Sequence, residues 1–313
     1  MIIKDSETLR KLTTSWYASN DFDRIIQHIE IETEELAKVV GDGLMEQALD
    51  IAEKPTASAS ELKLLKMVQL PVALMATFRF YQLNLVSHDQ STRKIKIDDQ
   101  NEKLPWEWML DRDDAAHLSS AQRAVDRLIG FLDKSGNDAW EKSTQKIASK
   151  KLFINNTATF GEYYPIDNSA RFYYLALPLL QEVQTTDLRK ALANDYKPLL
   201  EAFQKGNLNQ YQMELLEITQ RAQVLATIAL AVRRLNTQVL PAGIVKTMIS
   251  ERHTANASRP ADKEELSYFS KRIEMDAFAC IDEIKRKRFE QTPEFLEYKM
   301  LPKNDPGDKF AST

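Results

Sequence analysis

Apolar residues recur along this chain at intervals of three and four, the spacing of one face of an α-helix. In "DFDRIIQHIEIETEELAKVVGDGL", Phe22, Ile25, Ile26, Ile29, Leu36, Val39, Val40 and Leu44 fall close to one face, and Gly41 and Gly43 are placed to kink or interrupt it. Upstream, Asp5 or Ser6 caps a short helix through Leu12. Downstream, Pro55–Ser58 reads as a loop. From Ser60 a long, strongly apolar helix is expected to run to about His88. Ser119 or Ser120 then caps a helix striped by Val125, Leu128, Ile129 and Leu132. Gly136 ends it, and a shorter helix follows through Trp140.

The second half repeats this order. "SARFYYLALPLLQEV" and "TDLRKALANDYKPLLEAFQKG" form helices, with Gly206 as a C-terminal cap. "LNQYQMELLEITQRAQVLATIALAVRRLN" is a second long core helix, and "VLPAGIVKTMISERHTANASRP" a non-helical arm. "DKEELSYFSKRIEMDAFACIDEIKRKRF" closes the unit, with Leu266, Phe269, Ile273, Cys280 and Ile284 expected to face inward. The pattern predicts an all-α protein of two similar helical units, residues 1–150 and 151–295, each with a long core helix and an extended arm. The arms lie at 91–108 and 239–260, and a tail follows at 296–313. Local identities are few: Leu64-Leu65 against Leu215-Leu216, Gln69 against Gln220, Leu74 against Leu225. The order of elements carries the expectation of a duplication.

The first arm changes period. In "STRKIKIDDQNEKLPWEW", Ile95 and Ile97 face one way, Lys94 and Lys96 the other, and Asp98–Asn101 can turn the chain back. A lone two-stranded hairpin is marginal in water. Either it lies on its own helices with Trp106 and Trp108 as anchors, or it reaches a neighbouring subunit.

Composition narrows the function classes. The chain has 313 residues and a formal net charge of -4, with a pI of about 5.8, so overall charge gives no reason to expect nucleic acid as the main partner. Eight glycines leave no Gly-rich cofactor loop, and a single cysteine, Cys280, excludes an internal disulfide. No signal-peptide core is visible at the N-terminus. The apolar run Met67–Val86 is broken by Pro71, Arg79 and Asn84, and Val224–Val232 is too short to span a bilayer, so no membrane partner is expected. His28, His88, His117 and His253 make no metal or catalytic motif. Glu32, Glu34 and Glu35 read as a solvated face, and Cys280 as a small core residue. No catalytic, metal or cofactor residue is therefore expected.

Three stretches suggest contacts instead. Lys285-Arg286-Lys287-Arg288 reads either as a contact with the phosphates of passing DNA or as a basic last turn complementing the helix dipole. Tyr163 and Tyr164, in "FGEYYP", suit a protein interface if exposed. In the tail, Leu296, Tyr298 and Phe310 are apolar groups that a purely solvating segment does not need.

"IIKDSETLRKL", "NDFDRIIQHIEIETEEL" and "QLPVALMATFRFYQLNLV" together resemble the head–tail connector proteins of tailed phages, with Asp21 and Asp23 as an acidic step before Ile25-Ile26 and Pro71 near the start of the apolar helix. With "SKKLFINNTATFGEYYPIDNSARFYY" the chain resembles uncharacterised phage and prophage proteins that carry this unit in duplicate. The common connectors are single-unit. The resemblance implies an all-helical, non-enzymatic ring subunit beneath the portal, in the virion neck and, during assembly, in the host cytoplasm. Its partners would be its own copies, the portal, tail or neck proteins and the DNA passing through. The alternative is a cytosolic helical scaffold that binds a protein partner without forming a ring; an enzyme with a site of scattered polar residues is the third class.

Overall fold

The computed structural model describes residues 1–85, 87–88, 93–94, 106–235, 237–240, 243–246 and 263–298. They form helices α1 (Ser6–Leu12), α2 (Ile26–Val40), α3 (Asp42–Glu53) and α4 (Ala59–Leu83), the strand pair β1 (Ser87–His88) and β2 (Arg93–Lys94), then α5 (Glu107–Ser135), α6 (Asp138–Glu141) and α7 (Thr144–Lys150). There follow α8 (Thr157–Tyr163), α9 (Ala170–Val183), α10 (Arg189–Leu192), α11 (Tyr196–Lys205) and α12 (Gln210–Arg234), a second pair, β3 (Thr237–Leu240) and β4 (Gly243–Lys246), and finally α13 (Lys263–Phe289) and α14 (Pro293–Tyr298). A π-helical turn, Gln184–Leu188, joins α9 to α10. The protein is all-α in class.

Local chemistry explains most boundaries. Asp5 caps α1 by accepting from the Thr8 N–H at 2.7 Å. α4 starts in a capping box: Ser58 accepts from Glu61 N–H, and the Glu61 carboxylate accepts from Ser58 N–H. Lys54 Nζ donates to the same carboxylate at 2.5 Å, and these bonds hold the Glu61 carboxyl down at about 2. Gly41 separates α2 from α3 at φ 91°, where a Cβ would also press on Ser143 Cβ at 3.1 Å.

Several expectations are corrected. α5 begins at Glu107, not at Ser119 or Ser120, which lie inside it; the Ser120 hydroxyl turns back to the Ala116 carbonyl at 2.8 Å instead of capping. Trp108 therefore stands in the first helical turn and Trp106 just before it, not in an extended arm. The described pairing of the first arm joins residues 87–88 to 93–94, upstream of Ile95 and Ile97, which lie outside the described residues. Most of 239–260 also lies outside them; β3 and β4 pair from Thr237↔Lys246 to Leu240↔Gly243. The inward face of α13 is Ser270, Ile273, Ala277, Cys280, Ile281 and Ile284, so Phe269 is turned outward. α12, the expected second long core helix, extends well beyond the short apolar run Val224–Val232 and is long and apolar enough to cross a membrane, though 61% of its apolar window is buried inside the protein.

The core divides with the chain. One cluster is built from residues between Ile2 and Trp140, joined by Ala170; two others are built from residues between Leu152 and Ile284. In each half the long helix, α4 or α12, packs on the closing helix, α5 or α13. Some elements of the two halves can be set against each other by position. A shift of 151 carries α4 onto α12, both 25 residues long and both opened by a capping box. Under that shift all ten buried residues of α4 land on buried residues of α12: Leu64 and Leu65 on Leu215 and Leu216, Val72 on Gln223, Phe80 on Ala231. The same shift carries α1 onto α8, the Asp5 cap onto Asn156, and buried Leu9 onto buried Phe160. It also carries one long-range bond onto another: Gln69 Nε2 donates to Ile2 O and Gln220 Nε2 to Phe153 O, both at 2.8 Å. α2 and α9 correspond at a shift of 144, Ile29 with Tyr173 and Leu36 with Leu180, all buried. The connection before α2 is thus seven residues longer than the one before α9.

Candidate functional site

Two concave regions and one exposed edge carry the chemistry worth testing. The first concavity is a polar cleft of about 610 Å³ between α5, α6–α7 and the segment around α8, lined by Asp126, Asp133, Glu141, Lys146 and Lys150. Its carboxylates are already partnered. Asp133 Oδ1 accepts from Lys146 Nζ at 2.7 Å and from the buried Trp140 Nε1 at 2.9 Å. Asp126 accepts from the Ser169 hydroxyl and from Arg171 N–H at the start of α9. Glu141 pairs with Lys150 at 2.6 Å. A carboxylate held by fixed donors serves as an acceptor that joins elements; to act as a general base it would have to abandon them. Trp140 packs edge-on against Tyr174 at 5.4 Å, and burial, reinforced by Asp133, pushes the Tyr174 phenol far up. The cleft is the joint between the halves.

A second polar cluster ties down the entry to the second half. Phe153 N–H donates to Gln184 Oε1 at 2.9 Å, and Ile154 N–H to Gln223 Oε1 at 3.2 Å. Gln184 Nε2 donates to Lys151 O, and Gln223 Nε2 to Leu180 O and to Gln184 Oε1. Buried glutamines thus satisfy the main chain of an irregular segment that no ladder pairs.

The second concavity is apolar, about 400 Å³, and lies in the second half between α9, α12 and α13. Tyr164, Pro165, Ile166, Phe172, Ile228, Ala231, Val232, Leu235 and Phe269 line it. No sequence motif marks it. Tyr164 belongs to it as a half-buried lining residue. Tyr163 is half-buried as well, its hydroxyl donating to Gln220 Oε1 at 3.1 Å, so neither is the freely exposed ring expected. Burial raises the phenol pKa of both.

The exposed edge is the start of α5. Trp106 is 72% exposed, Trp108 44% and Met109 45%. A stripe on α13 adds Tyr268, Met275 and Phe278, spaced seven and three residues apart and so on one helix face, all exposed.

The basic run is largely committed within the chain. Arg288 donates to Asp195 at 2.9 Å and to Ala191 O at 2.8 Å, and Lys287 pairs with Glu214. Lys285 pairs with Asp282 at 2.8 Å, and Arg286 lies 3.9 Å from both Glu283 and Glu290. Lys287 and Arg288 pin α13 to the helices of its own half; Lys285 and Arg286 stand on the exposed side. Leu296 and Tyr298 fall in α14, which runs through the expected boundary between unit and tail, and Phe310 lies outside the described residues.

Other candidate chemistry is scattered. His28 is half-buried, and burial together with Arg79 lowers its pKa; burial raises that of the Cys280 thiol. Among the described residues no three His, Cys, Asp or Glu side chains are grouped to hold a metal ion.

Residues 178–306 match a family of unknown function (DUF6712), a segment that runs from within α9 through α12 and α13 and leaves out the first half. No curated protein and no solved structure matches the chain.

Proposed function

We propose that this chain is a tandem duplication of one helical unit and serves as a non-enzymatic head–tail connector subunit of a tailed phage or prophage, forming a ring beneath the portal. The observation that carries the reading is the 151-residue correspondence. The order it repeats — capped short helix, amphipathic helix, apolar core helix, strand pair, closing helix — is the order on which the resemblance to connectors rests. The ten matched burial positions of the core helices and the matched bonds of Gln69 and Gln220 support descent of the halves from one unit. The family match to residues 178–306, which covers part of one unit and none of the other, fits the same division.

Assembly is supported by what lies on the surface. Trp106, Trp108 and Met109 project from α5, and Tyr268, Met275 and Phe278 from α13. Exposed apolar groups gathered on one edge or stripe mark contact surfaces more often than scattered ones do. In this reading the strand pairs after each core helix belong to arms, one ending before Trp106 and one at 239–260, that contact neighbouring subunits, and the 296–313 tail docks on the portal. Lys285 and Arg286 face the DNA channel without reading sequence. The protein is then a component of the virion neck and is found in the host cytoplasm during assembly.

The second reading, a helical scaffold that binds a partner without a ring, draws on the same exposed groups. Co-expression with the portal of the same phage discriminates. The connector reading predicts that the portal, captured on a resin, retains this chain in stoichiometric amount and that antibody labels the neck of virions. A chain absent from purified virions and not retained by the portal contradicts it.

A further inference from the structure

The two halves differ where the apolar groove opens. Its lining residues have counterparts in the first half: Ala231 corresponds to Phe80, Val232 to Tyr81, Leu235 to Asn84 and Phe172 to His28. There the longer connection before α2 folds over the site. Trp16, 2% exposed, packs edge-on against Phe80 at 5.1 Å, Asn20 donates to the Tyr81 hydroxyl at 2.9 Å, and Arg24 reaches Asn84 and lies over the Phe80 ring. The second half has smaller side chains on α12 and a connection seven residues shorter. Among the described residues nothing equivalent to Trp16 covers it, and Phe269 and Leu235 stand 42% and 37% exposed at its rim.

We infer that this groove receives the Trp106–Trp108 edge of a second copy of the chain. The site that takes an indole from within the chain in the first half takes one from outside in the second. The same chain displays an exposed tryptophan pair at the start of α5, on the other half of the molecule, with no burial of its own to explain it. Indoles buried in apolar pockets are typical anchors of protein interfaces. Knob and groove are different surfaces of one molecule, so the contact is heterologous and repeats from copy to copy; it closes into a ring when the rotation allows. The inference deepens the connector reading and supplies the contact on which such a ring would be built.

The test uses the full chain and mass photometry with sedimentation velocity over a range of concentrations. One variant removes the knob (Trp106→Ala with Trp108→Ala). A second fills the groove with the side chain found at the corresponding position of the first half (Ala231→Phe). A third charges the rim (Leu235→Glu). Each is expected to keep wild-type helicity by circular dichroism and to weaken self-association at least tenfold. Should Ala231→Phe disturb folding, Leu235→Glu carries the test. Mixing the knob-less chain with the groove-filled chain is expected to restore one contact only, giving a one-to-one dimer and nothing larger. Folded variants that assemble like the wild type overturn the inference but leave a ring built on another surface. A wild-type chain that stays monomeric overturns both. A mixture that forms no dimer, while each variant alone is monomeric, also overturns it, because knob and groove would then not be partners.

Discussion

Gln223→Leu is the sharpest single test of how the second half is held together. Gln223 is fully buried in α12. Its Oε1 accepts from Ile154 N–H at 3.2 Å; its Nε2 donates to Leu180 O and Gln184 Oε1, both at 3.1 Å. Leucine is similar in size, so the substitution opens little cavity and adds apolar surface. What it removes is the acceptor for a main-chain N–H of a fully buried residue. An orphaned buried donor costs roughly 1–3 kcal/mol, and the bonds lost to Leu180 and Gln184 about 1 kcal/mol together, since both acceptors keep another donor or a helical bond. Part is offset by the added apolar burial, so a net loss of about 2 kcal/mol is expected. Gln69→Leu in the first half, at the counterpart of Gln220 and not of Gln223, removes one bond from a half-buried residue and should cost about 1 kcal/mol or less. Urea unfolding followed by circular dichroism measures both as shifts in midpoint at unchanged slope. A Gln223→Leu loss below about 0.5 kcal/mol, or one no larger than that of Gln69→Leu, would refute the argument that these glutamines satisfy the entry segment.

Other outcomes are equally definite. The Glu61 carboxyl, held at about 2 in the folded chain against 4.5 ordinarily, contributes stability that is full above pH 4.5 and is lost as pH falls towards 2. The stability gap between wild type and Glu61→Gln should therefore close over that window in acid unfolding titrations, and a gap independent of pH would contradict the capping box. Arg288→Ala, which frees Asp195 and Ala191 O, should lower stability by about 1 kcal/mol with little change in retention on DNA; a large drop in retention would return Arg288 to the channel. Deleting residues 95–102 with a short linker should leave the melting temperature nearly intact and weaken assembly; a large thermal loss would make that segment part of the core. Truncation after Phe295 should leave the melting temperature unchanged and abolish portal binding in a pull-down, and undiminished binding would dismiss the docking tail.

Much of the fold was legible because its signals are local. Asp5, Gly41, Gly136 and Gly206 end or open helices where their chemistry predicts, and both long core helices follow from apolar runs. The start of α5 is hidden in the sequence because residues 107–118 carry good helix formers but little apolar periodicity, while Ser119 and Ser120 look like caps. Phe269 reads as inward because it lies four residues before Ile273, but it is the polar Ser270, three before Ile273, that is buried. The proposed duplication leaves few local identities in the sequence, since Val72 against Gln223 and Phe80 against Ala231 share burial and not chemistry. The groove had no signal at all: it arises from the side chains and the seven connecting residues that the second half lacks.

The ring proposed for this chain can be looked for by electron microscopy of the purified full-length protein, imaged at concentrations where mass photometry finds its largest stable species. Closed rings of one size with an open central channel are expected, with class averages showing one repeat per subunit. A uniform field of single particles with the mass of one chain, or open filaments that never close, would contradict it.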